Sequence, residues 1–424
     1  MNRRLNIVGF LIALVLGFPG LALGLEWSGT VTGKASYQFD TSDFDYGVTV
    51  NALSTLDMGE GYYLHADLSL KYQDENNFRP FRLNELYLQG SNAPWDRVDF
   101  KAGFLELTWG ASDVLSPVDV LNPRPFSLSM DSESFKDKIP VPAVDVEWYF
   151  SDTWSLELFY QPYFMSNFVP SFVKEQMILG SLASFLLLVP EQTSVTIEET
   201  APAVDFLSPI WAVRTRGSVG NFDVALSFQS GYYLSSFPYR IDVTQGEDGS
   251  TSLAVLSGYP RRSILGLEFQ GFIEGLEGVT VRGDLAWVFP EPWIQQIFVN
   301  GSPVSTASIL DEPYWKASLG IDYTHENFYI NLNYLLGNPF EEGENISPYL
   351  YLVTNWESED GKWKPFWNSV LSLSDGSMVN ILGVEYKPKE NWTTSLSYSV
   401  SSGAPQSRLG GLSDGIFLEV KYSF

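Results

Sequence analysis

The 424-residue chain contains no cysteine and only two histidines, and it has about half as many basic as acidic side chains, with 25 Lys and Arg against 51 Asp and Glu. The absence of cysteine excludes a disulfide framework. The formal net charge of −26 argues against nucleic acid as a partner, because nucleic-acid binding requires a basic surface. No HExxH or GxSxG string occurs, so we expect no enzyme activity and no cofactor.

Long hydrophobic runs are also missing after the N-terminal segment, so no helix of the roughly 20 apolar residues that a membrane span needs is predicted. The N-terminus has Arg3 and Arg4, an apolar core over residues 7–18 and then Ala22, Leu23 and Gly24. This three-part pattern predicts a secretory signal peptide over residues 1–24, with Leu25 as the first residue of the mature chain. The apolar core is too short for the alternative, a transmembrane helix. Residues 25–424 are expected to form one domain.

Strands of alternating polarity fill the rest of the sequence. Residues 27–39, WSGTVTGKASYQF, and residues 62–72, YYLHADLSLKY, place apolar or small side chains on one face and polar ones on the other. Further segments repeat the pattern. Each has about ten residues, which is the length of a tilted strand that crosses a bilayer. Their apolar faces often begin and end in Trp, Tyr or Phe, as lipid-facing strands do. A soluble β-sandwich or β-helix is the alternative, since its half-buried strands alternate too.

The connections between these strands predict which end of the barrel each one occupies. Seventeen connections are expected, and the long ones, including residues 109–142, 164–208, 233–262 and 290–313, all have odd rank. This indicates an all-β transmembrane antiparallel barrel of about 18 strands, with short periplasmic turns, long extracellular loops and both termini in the periplasm. The weakest of these strands is residues 346–356, and 16 strands is the alternative count.

The C-terminal run GIFLEVKYSF, residues 415–424, alternates up to its final phenylalanine. A terminal strand leaves an open edge in a soluble sheet, whereas in a barrel it pairs with the first strand and closes the ring. Tyr422 and Phe424 also resemble the C-terminal signal by which outer-membrane barrels are recognised for assembly. We therefore expect the barrel assembly machinery and outer-membrane lipid as partners.

The segment FKAGFLELTWG running into ASDVLSPVDVLNPRPF resembles a porin-like family of largely uncharacterised outer-membrane barrels, in which a strand ending in Trp-Gly precedes an Asp-rich, Asn-Pro-containing loop. Later segments such as GNFDVALSFQSGYYLSSFP and PYWKASLGIDY are similar to later strands of that family, in the same order. The resemblance extends over roughly residues 83–398. It implies a barrel of the bacterial outer membrane and says little about what passes through it.

Charged residues on the polar faces of the strands are the candidates for lining a pore. The candidates are Asp67, Lys71, Arg214, Arg216, Glu268, Arg282, Asp284, Lys316 and Asp322. Opposed acidic and basic rows favour a water-filled passage with a transverse field that orients polar solutes. Alternatively, the charges neutralise one another as cross-strand pairs. Barrels of 16 to 18 strands are wide enough for an aqueous channel, which favours transport.

Two long connections are candidates for narrowing the passage. Residues 171–189 have helical spacing of apolar side chains and no strand alternation, which makes Leu182, Phe185 and Leu186 candidates for a constriction; packing against neighbouring loops or exposure outside are the alternatives. The other connection, residues 109–142, has four aspartates and no EF-hand spacing, so calcium is only weakly indicated and no metal site is predicted.

These observations predict an integral protein of the bacterial outer membrane that acts as a porin-like channel for diffusion of small polar solutes or ions. Two alternatives stay open: a channel for amphiphilic or hydrophobic molecules, and a structural or adhesion barrel without transport. The sequence does not decide the solute, the direction of transport, or whether barrels associate as homo-oligomers.

Overall fold

The computed structural model describes residues 25–424 except for residues 41, 74–80, 126–136, 170–173, 175–192, 204–205, 207–208, 247–249, 344–345 and 413. The predicted signal peptide, residues 1–24, and the constriction candidates Leu182, Phe185 and Leu186 lie outside the described residues. Secondary structure in the described part consists of 23 β-strands, apart from the single helical residues Lys174 and Gly343. No helix there is long and apolar enough to cross a membrane.

Eighteen strands form one closed antiparallel sheet. They are β1 (Leu25–Gln38), β2 (Asp43–Gly59), β3 (Tyr62–Gln73), β4 (Phe81–Gly90), β5 (Val98–Leu105), β6 (Val141–Trp148), β7 (Trp154–Gln161), β9 (Ile210–Val219), β10 (Phe222–Tyr232), β13 (Arg261–Phe272), β14 (Val279–Pro290), β17 (Tyr314–His325), β18 (Phe328–Leu336), β19 (Pro348–Trp356), β20 (Trp363–Ser372), β21 (Met378–Lys389), β22 (Trp392–Ser402) and β23 (Gly415–Ser423).

Pairing of the last strand with the first closes the barrel. The register joins Thr30 with Ser423 and Gln38 with Gly415, and backbone hydrogen bonds between Gly29 and Phe424 extend it. The predicted count of 18 strands is therefore confirmed, including β19, the weakest prediction. When the 18 barrel strands are counted in chain order, the connections that follow odd-numbered strands lie at one end of the barrel, here called the loop end. The connections that follow even-numbered strands lie at the other end, the turn end.

The alternation of apolar and polar side chains along each strand gives the outer and inner faces of the barrel different polarity. On β17, Leu319 is 55% and Ile321 is 47% exposed, while Ser318 and Asp322, which flank this pair, are 2% and 3% exposed. Exposed leucines recur on neighbouring strands, and aromatic residues such as Trp315 and Tyr323 lie at both ends of the same row. The barrel thus has an apolar outer face and a polar inner face, as a closed sheet in an apolar solvent requires.

A second sheet, which was not predicted, is built from three of the long connections. Its strands are β8 (Thr193–Thr200), β11 (Phe237–Gln245), β12 (Thr251–Gly258), β15 (Trp293–Val299) and β16 (Ser302–Leu310), in the order β16-β15-β11-β12-β8. The prediction that residues 164–208, 233–262 and 290–313 are loops was therefore wrong in part. One face of this sheet buries Ile241, Leu253, Val255 and Ile297 together, which stabilises strands that belong to different connections.

The largest buried cluster lies inside the barrel toward the loop end. It joins Trp109, Val118 and Leu121 from the connection after β5 to wall residues such as Phe159 and Val288. β5 ends at Leu105, so the connection starts at residue 106 and not at residue 109 as predicted. The residues that follow Leu105 leave the wall because their apolar side chains pack inside the barrel.

Candidate functional site

The connection between β5 and β6 folds into the barrel; its described residues, 106–125 and 137–140, are called the inner loop. The Trp109 indole N–H donates to Glu157 Oε1 at 2.9 Å, and the Gly110 backbone N–H donates to Glu268 Oε2 at 2.9 Å. The backbone N–H groups of the next two residues donate to the two carboxylate oxygens of Asp284, at 2.8 and 2.9 Å. Carboxylates of the wall therefore accept hydrogen bonds from consecutive backbone N–H groups of the loop. Without these acceptors the N–H groups would be buried and unpaired, which is unfavourable.

The loop continues around the wall beyond Asp284. The Ser112 hydroxyl lies 2.8 Å from the Ser318 hydroxyl on β17, Asp113 forms an ion pair with Arg282 on β14, and Leu115 packs with residues of β18 and β19. Residues 109–115, here called the belt, thus run across β7, β9, β10, β13, β14, β17, β18 and β19. These eight strands are the belt wall.

Gly110 permits the sharp entry into the belt. Its φ is +105°, a conformation that favours glycine, and a Cβ at this position would collide with the Ser116 side chain. The Trp-Gly pair singled out in the sequence therefore has a structural role: the tryptophan fills the buried cluster and the glycine turns the chain onto the wall.

Buried polar contacts hold the inner loop against itself. Asp119 accepts from Lys138 Nζ and from Arg124 Nη2, each at 2.7 Å, with all three side chains at most 8% exposed. The Trp109 backbone N–H lies 3.2 Å from Asp119 Oδ1, so the two ends of the belt excursion are close together. Asn122 accepts from the Leu107 backbone N–H at 2.8 Å, and its side-chain amide donates to two backbone carbonyls. These contacts give the buried polar side chains of Asp119, Asn122 and Lys138 hydrogen-bond partners, as buried polar groups require.

Two ionisable groups of the inner loop are perturbed by this burial. Desolvation raises the pKa of Glu106 to about 7, opposed by the nearby Lys138 and reinforced by Glu85, whose carboxylate also accepts from the Glu106 backbone N–H at 3.0 Å. Desolvation lowers the pKa of Lys138, with Asp119 acting in the opposite direction. Glu106 therefore changes charge near neutral pH while lying at the point where the loop leaves β5.

Most of the pore-lining candidates lie on the belt wall. Glu268 and Asp284 hold the belt, Arg214 pairs with Glu157 at 2.6 Å, and Arg282 pairs with Asp113 and with Asp322. The structure brings these residues together around the inner loop. Whether any of them lines a solute path stays a prediction.

The remaining candidates lie apart from the belt. Lys316 is 3% exposed and donates to the backbone carbonyls of Asn338 and Glu341 at 2.9 and 2.8 Å, so it fixes the connection between β18 and β19. Arg216 pairs with Glu147 nearer the turn end. Asp67 accepts from the Asn84 amide at 3.0 Å, and Lys71 lies on the same strand, β3. Tyr422 and Phe424 form part of the closing seam of the barrel, and their role in assembly stays a prediction.

Sequence reasoning missed Asn122 and Lys138, which hold the inner loop together. The signal for them was the apolar content of residues 114–121, VLSPVDVL, in a connection that was predicted as a candidate for narrowing the passage. Of the described aspartates of this connection, Asp113 and Asp119 are paired with basic side chains, and Asp137 is exposed. No group of three or more potential metal ligands occurs among the described residues.

The opposite side of the lumen has a different environment. On β1 and β23, here grouped with β20, β21 and β22 as the facing wall, the Lys34 and Glu419 side chains are paired at 3.0 Å but are 50% and 28% exposed. On the belt wall, the Arg214 and Glu157 side chains are 8% and 5% exposed. Ser395, Glu385 and Lys421 on inner positions of the facing wall are also partly exposed. Solvent therefore reaches these positions of the facing wall, whereas the inner loop covers the positions of the belt wall that it contacts.

The sequence was compared with protein families and known structures. A family model described as "Protein of unknown function (DUF1302)" matches residues 21–303. No curated protein matches the chain. Among solved structures, a triple mutant of the Rhodopseudomonas blastica porin is similar with 12% identity and a TM-score of 0.43, covering 94% of this chain and 100% of that chain. A structure described as "Asymmetric conductivity of engineered proteins" is similar with 11% identity, a TM-score of 0.44 and the same coverages, 94% and 100%.

Proposed function

The chain belongs to the DUF1302 family, a family of proteins of unknown function, and we propose that it is a porin-like channel of the bacterial outer membrane through which small polar solutes or ions diffuse. Its predicted signal peptide supports export, and its apolar outer face supports insertion into a bilayer. In this proposal the short connections of the turn end face the periplasm and the loop end faces the outside.

The observation that carries the proposal is the difference in exposure between the two walls. A barrel of 18 strands is wide enough to leave an aqueous lumen. The inner loop occupies the belt-wall side of this lumen, while charged and hydroxyl side chains of the facing wall stay accessible to water. A passage that is narrowed on one side and polar on the other suits small hydrophilic solutes.

A mild preference for cations is part of the proposal. The chain has 51 acidic and 25 basic residues, and the exposed turns and loops carry much of this excess, for example Asp311 and Glu312 near the loop end. A mouth lined with one sign of charge raises the local concentration of counter-ions. The amphiphilic-cargo alternative depended on residues 171–189, which apart from Lys174 lie outside the described residues, and no described contact favours it.

Planar-bilayer recording tests the proposal. Purified full-length mature protein reconstituted into a bilayer is expected to give stepwise conductance, with a reversal potential in a salt gradient that indicates a modest cation preference. A protein that inserts, as shown by protease protection and β-rich circular dichroism, but gives no conductance at any voltage would instead be a structural or adhesion barrel. Anion selectivity would contradict the charge argument while leaving the channel assignment in place.

A further inference from the structure

A chamber of about 550 Å³ lies on the turn-end side of the belt. Its wall is formed by inner positions of β7, β9, β10 and β13. The inner-loop residues Thr108, Gly110 and Ala111 close the side of the chamber that faces the loop end. This volume is in the range of pockets that hold small molecules. The chamber is lined by acidic, basic and amide side chains together, so its ligand preference depends on which of these charges already have partners.

Glu268 lies at the covered end of the chamber and is 6% exposed. Its Oε2 atom accepts from the Gly110 backbone N–H at 2.9 Å and from Arg214 Nη1 at 3.4 Å. Its Oε1 atom is buried and has no hydrogen-bond partner among the described residues. A buried carboxylate oxygen without a donor is unfavourable, so a ligand that supplies a donor at this point would be stabilised.

The two basic groups of the chamber are already paired with carboxylates. Arg214 donates to Glu157 Oε2 through two nitrogens, at 2.9 and 2.6 Å, and its guanidinium stacks on the Trp109 ring at 4.6 Å. Arg216 forms a bidentate pair with Glu147. Both guanidinium groups are therefore largely neutralised by their own partners.

Asp223 lies at the open end of the chamber, and its side chain accepts from the Ser218 hydroxyl at 2.6 Å. The strand register pairs Asp223 with Gln270, and Glu268 with Ala225. Asp223 and Glu268 thus lie on the same face of neighbouring strands as diagonal neighbours, with Cα atoms roughly 7–8 Å apart. Among the described residues, the 3.4 Å contact between Glu268 and Arg214 is the shortest ion pair that either carboxylate forms with a basic side chain.

We propose that this chamber is a binding subsite for small organic cations that carry a primary ammonium group. The ammonium offers three donors, which suits the free Oε1 of Glu268, the Asp223 carboxylate and the amide oxygen of Gln270. The apolar remainder of the ligand lies against Ala225, an inner residue of β10 that also lines the chamber. The proposal deepens the channel function, because it rests on solutes reaching the chamber through the lumen and names their chemical class.

Ligand-observed NMR on the detergent-solubilised full chain tests binding without requiring conductance. Three probes of equal length and different charge are used: butylammonium, butanol and butyrate. Butylammonium is expected to bind with a dissociation constant at least about tenfold below those of butanol and butyrate. Asp223→Asn, which leaves the belt contacts in place, is expected to weaken butylammonium binding about fivefold, and Glu268→Gln is expected to weaken it at least as much. Glu385→Gln, on the facing wall, is the matched control and is expected to leave it unchanged.

The outcomes separate this subsite from the channel function. Equal binding of butylammonium and butanol, or equal weakening by Asp223→Asn and Glu385→Gln, would overturn the subsite, even in a protein that conducts ions. Selective binding that is lost in Asp223→Asn would support it even in a barrel that does not conduct. If Glu268→Gln loosens the inner loop and lowers stability, Asp223→Asn alone decides the question, because Asp223 does not contact the loop.

Discussion

The belt wall and the facing wall have the same alternating sequence pattern, but the inner loop shields part of the belt wall from solvent. Ser318 on the belt wall is 2% exposed, whereas Ser395, an inner serine of the facing wall, is partly exposed. The difference comes from a single connection, the inner loop, whose backbone donors are matched to Glu268 and Asp284 on one side of the barrel. Strand periodicity therefore determines which side chains point inward, and a loop determines which of these remain in contact with water.

Removing residues 110–117, which include all of the belt except Trp109, is expected to have the largest effect on this difference. Residues 110–117 can be replaced by two glycines, because Trp109 and Asp119 are already close, with the backbone N–H of the former 3.2 Å from Oδ1 of the latter. We expect single-channel conductance to rise at least about twofold, since the belt-wall side of an 18-strand lumen becomes accessible to water.

The control for the deletion is a variant that shortens the β15–β16 hairpin of the second sheet. This hairpin contributes no residue to the belt, so we expect its conductance to match that of the unmodified protein. Equal conductance in all three proteins would show that the belt does not narrow the solute path.

Lys138→Met tests the buried ion pairs inside the loop. The substitution leaves Asp119, which is 7% exposed, with Arg124 as its remaining cation. Removing one partner of a buried pair costs about 3–5 kcal/mol, and we expect the lower end of that range because Arg124 stays. Urea unfolding of the protein in lipid vesicles measures the loss. Lys34→Met, at the half-exposed pair on the facing wall, should cost about 1 kcal/mol or less.

Asp284→Ala tests the attachment of the belt to the wall. Two backbone N–H groups lose their acceptor, which costs about 1–3 kcal/mol in total stability. We also expect larger current noise, because the belt is released from β14. Asp284→Asn keeps one carbonyl acceptor and should show a smaller change in both quantities. Identical noise in all three proteins would mean that this carboxylate does not hold the belt in place.

The pH dependence of Glu106 is the smallest expected effect. Burial raises its pKa from 4.5 to about 7 in the folded protein, so between about pH 4.5 and about pH 7 the folded state keeps a proton that the unfolded state has lost. Stability of the docked loop therefore falls as pH rises through this window. We expect current noise to increase from about pH 5 to about pH 8. In Glu106→Gln this pH dependence should vanish; a dependence equal to that of the unmodified protein would assign it to another group.

The fold was predictable because its determinants are local and periodic. Alternation, connection lengths and the final aromatic strand together predict 18 strands, and the register between β1 and β23 confirms the closure. The inner loop was harder to predict because its contacts join residues more than 150 positions apart, such as Ala111 with Asp284. The second sheet was missed for the same reason: β8 pairs with β12 of a different connection, and no local pattern shows that pairing.

Cysteine accessibility tests the central claim most directly, because the chain has no cysteine of its own. Single Ser395→Cys and Ser318→Cys variants, on the facing wall and the belt wall, are treated in the bilayer with a positively charged methanethiosulfonate reagent while current is recorded. We predict rapid modification and a fall in current for Ser395→Cys. Modification of Ser318→Cys should be at least about tenfold slower. When residues 110–117 are also deleted, Ser318→Cys should be modified at a rate similar to that of Ser395→Cys. Equal rates at the two positions in the presence of the belt would contradict the division of the lumen into a covered and an open wall.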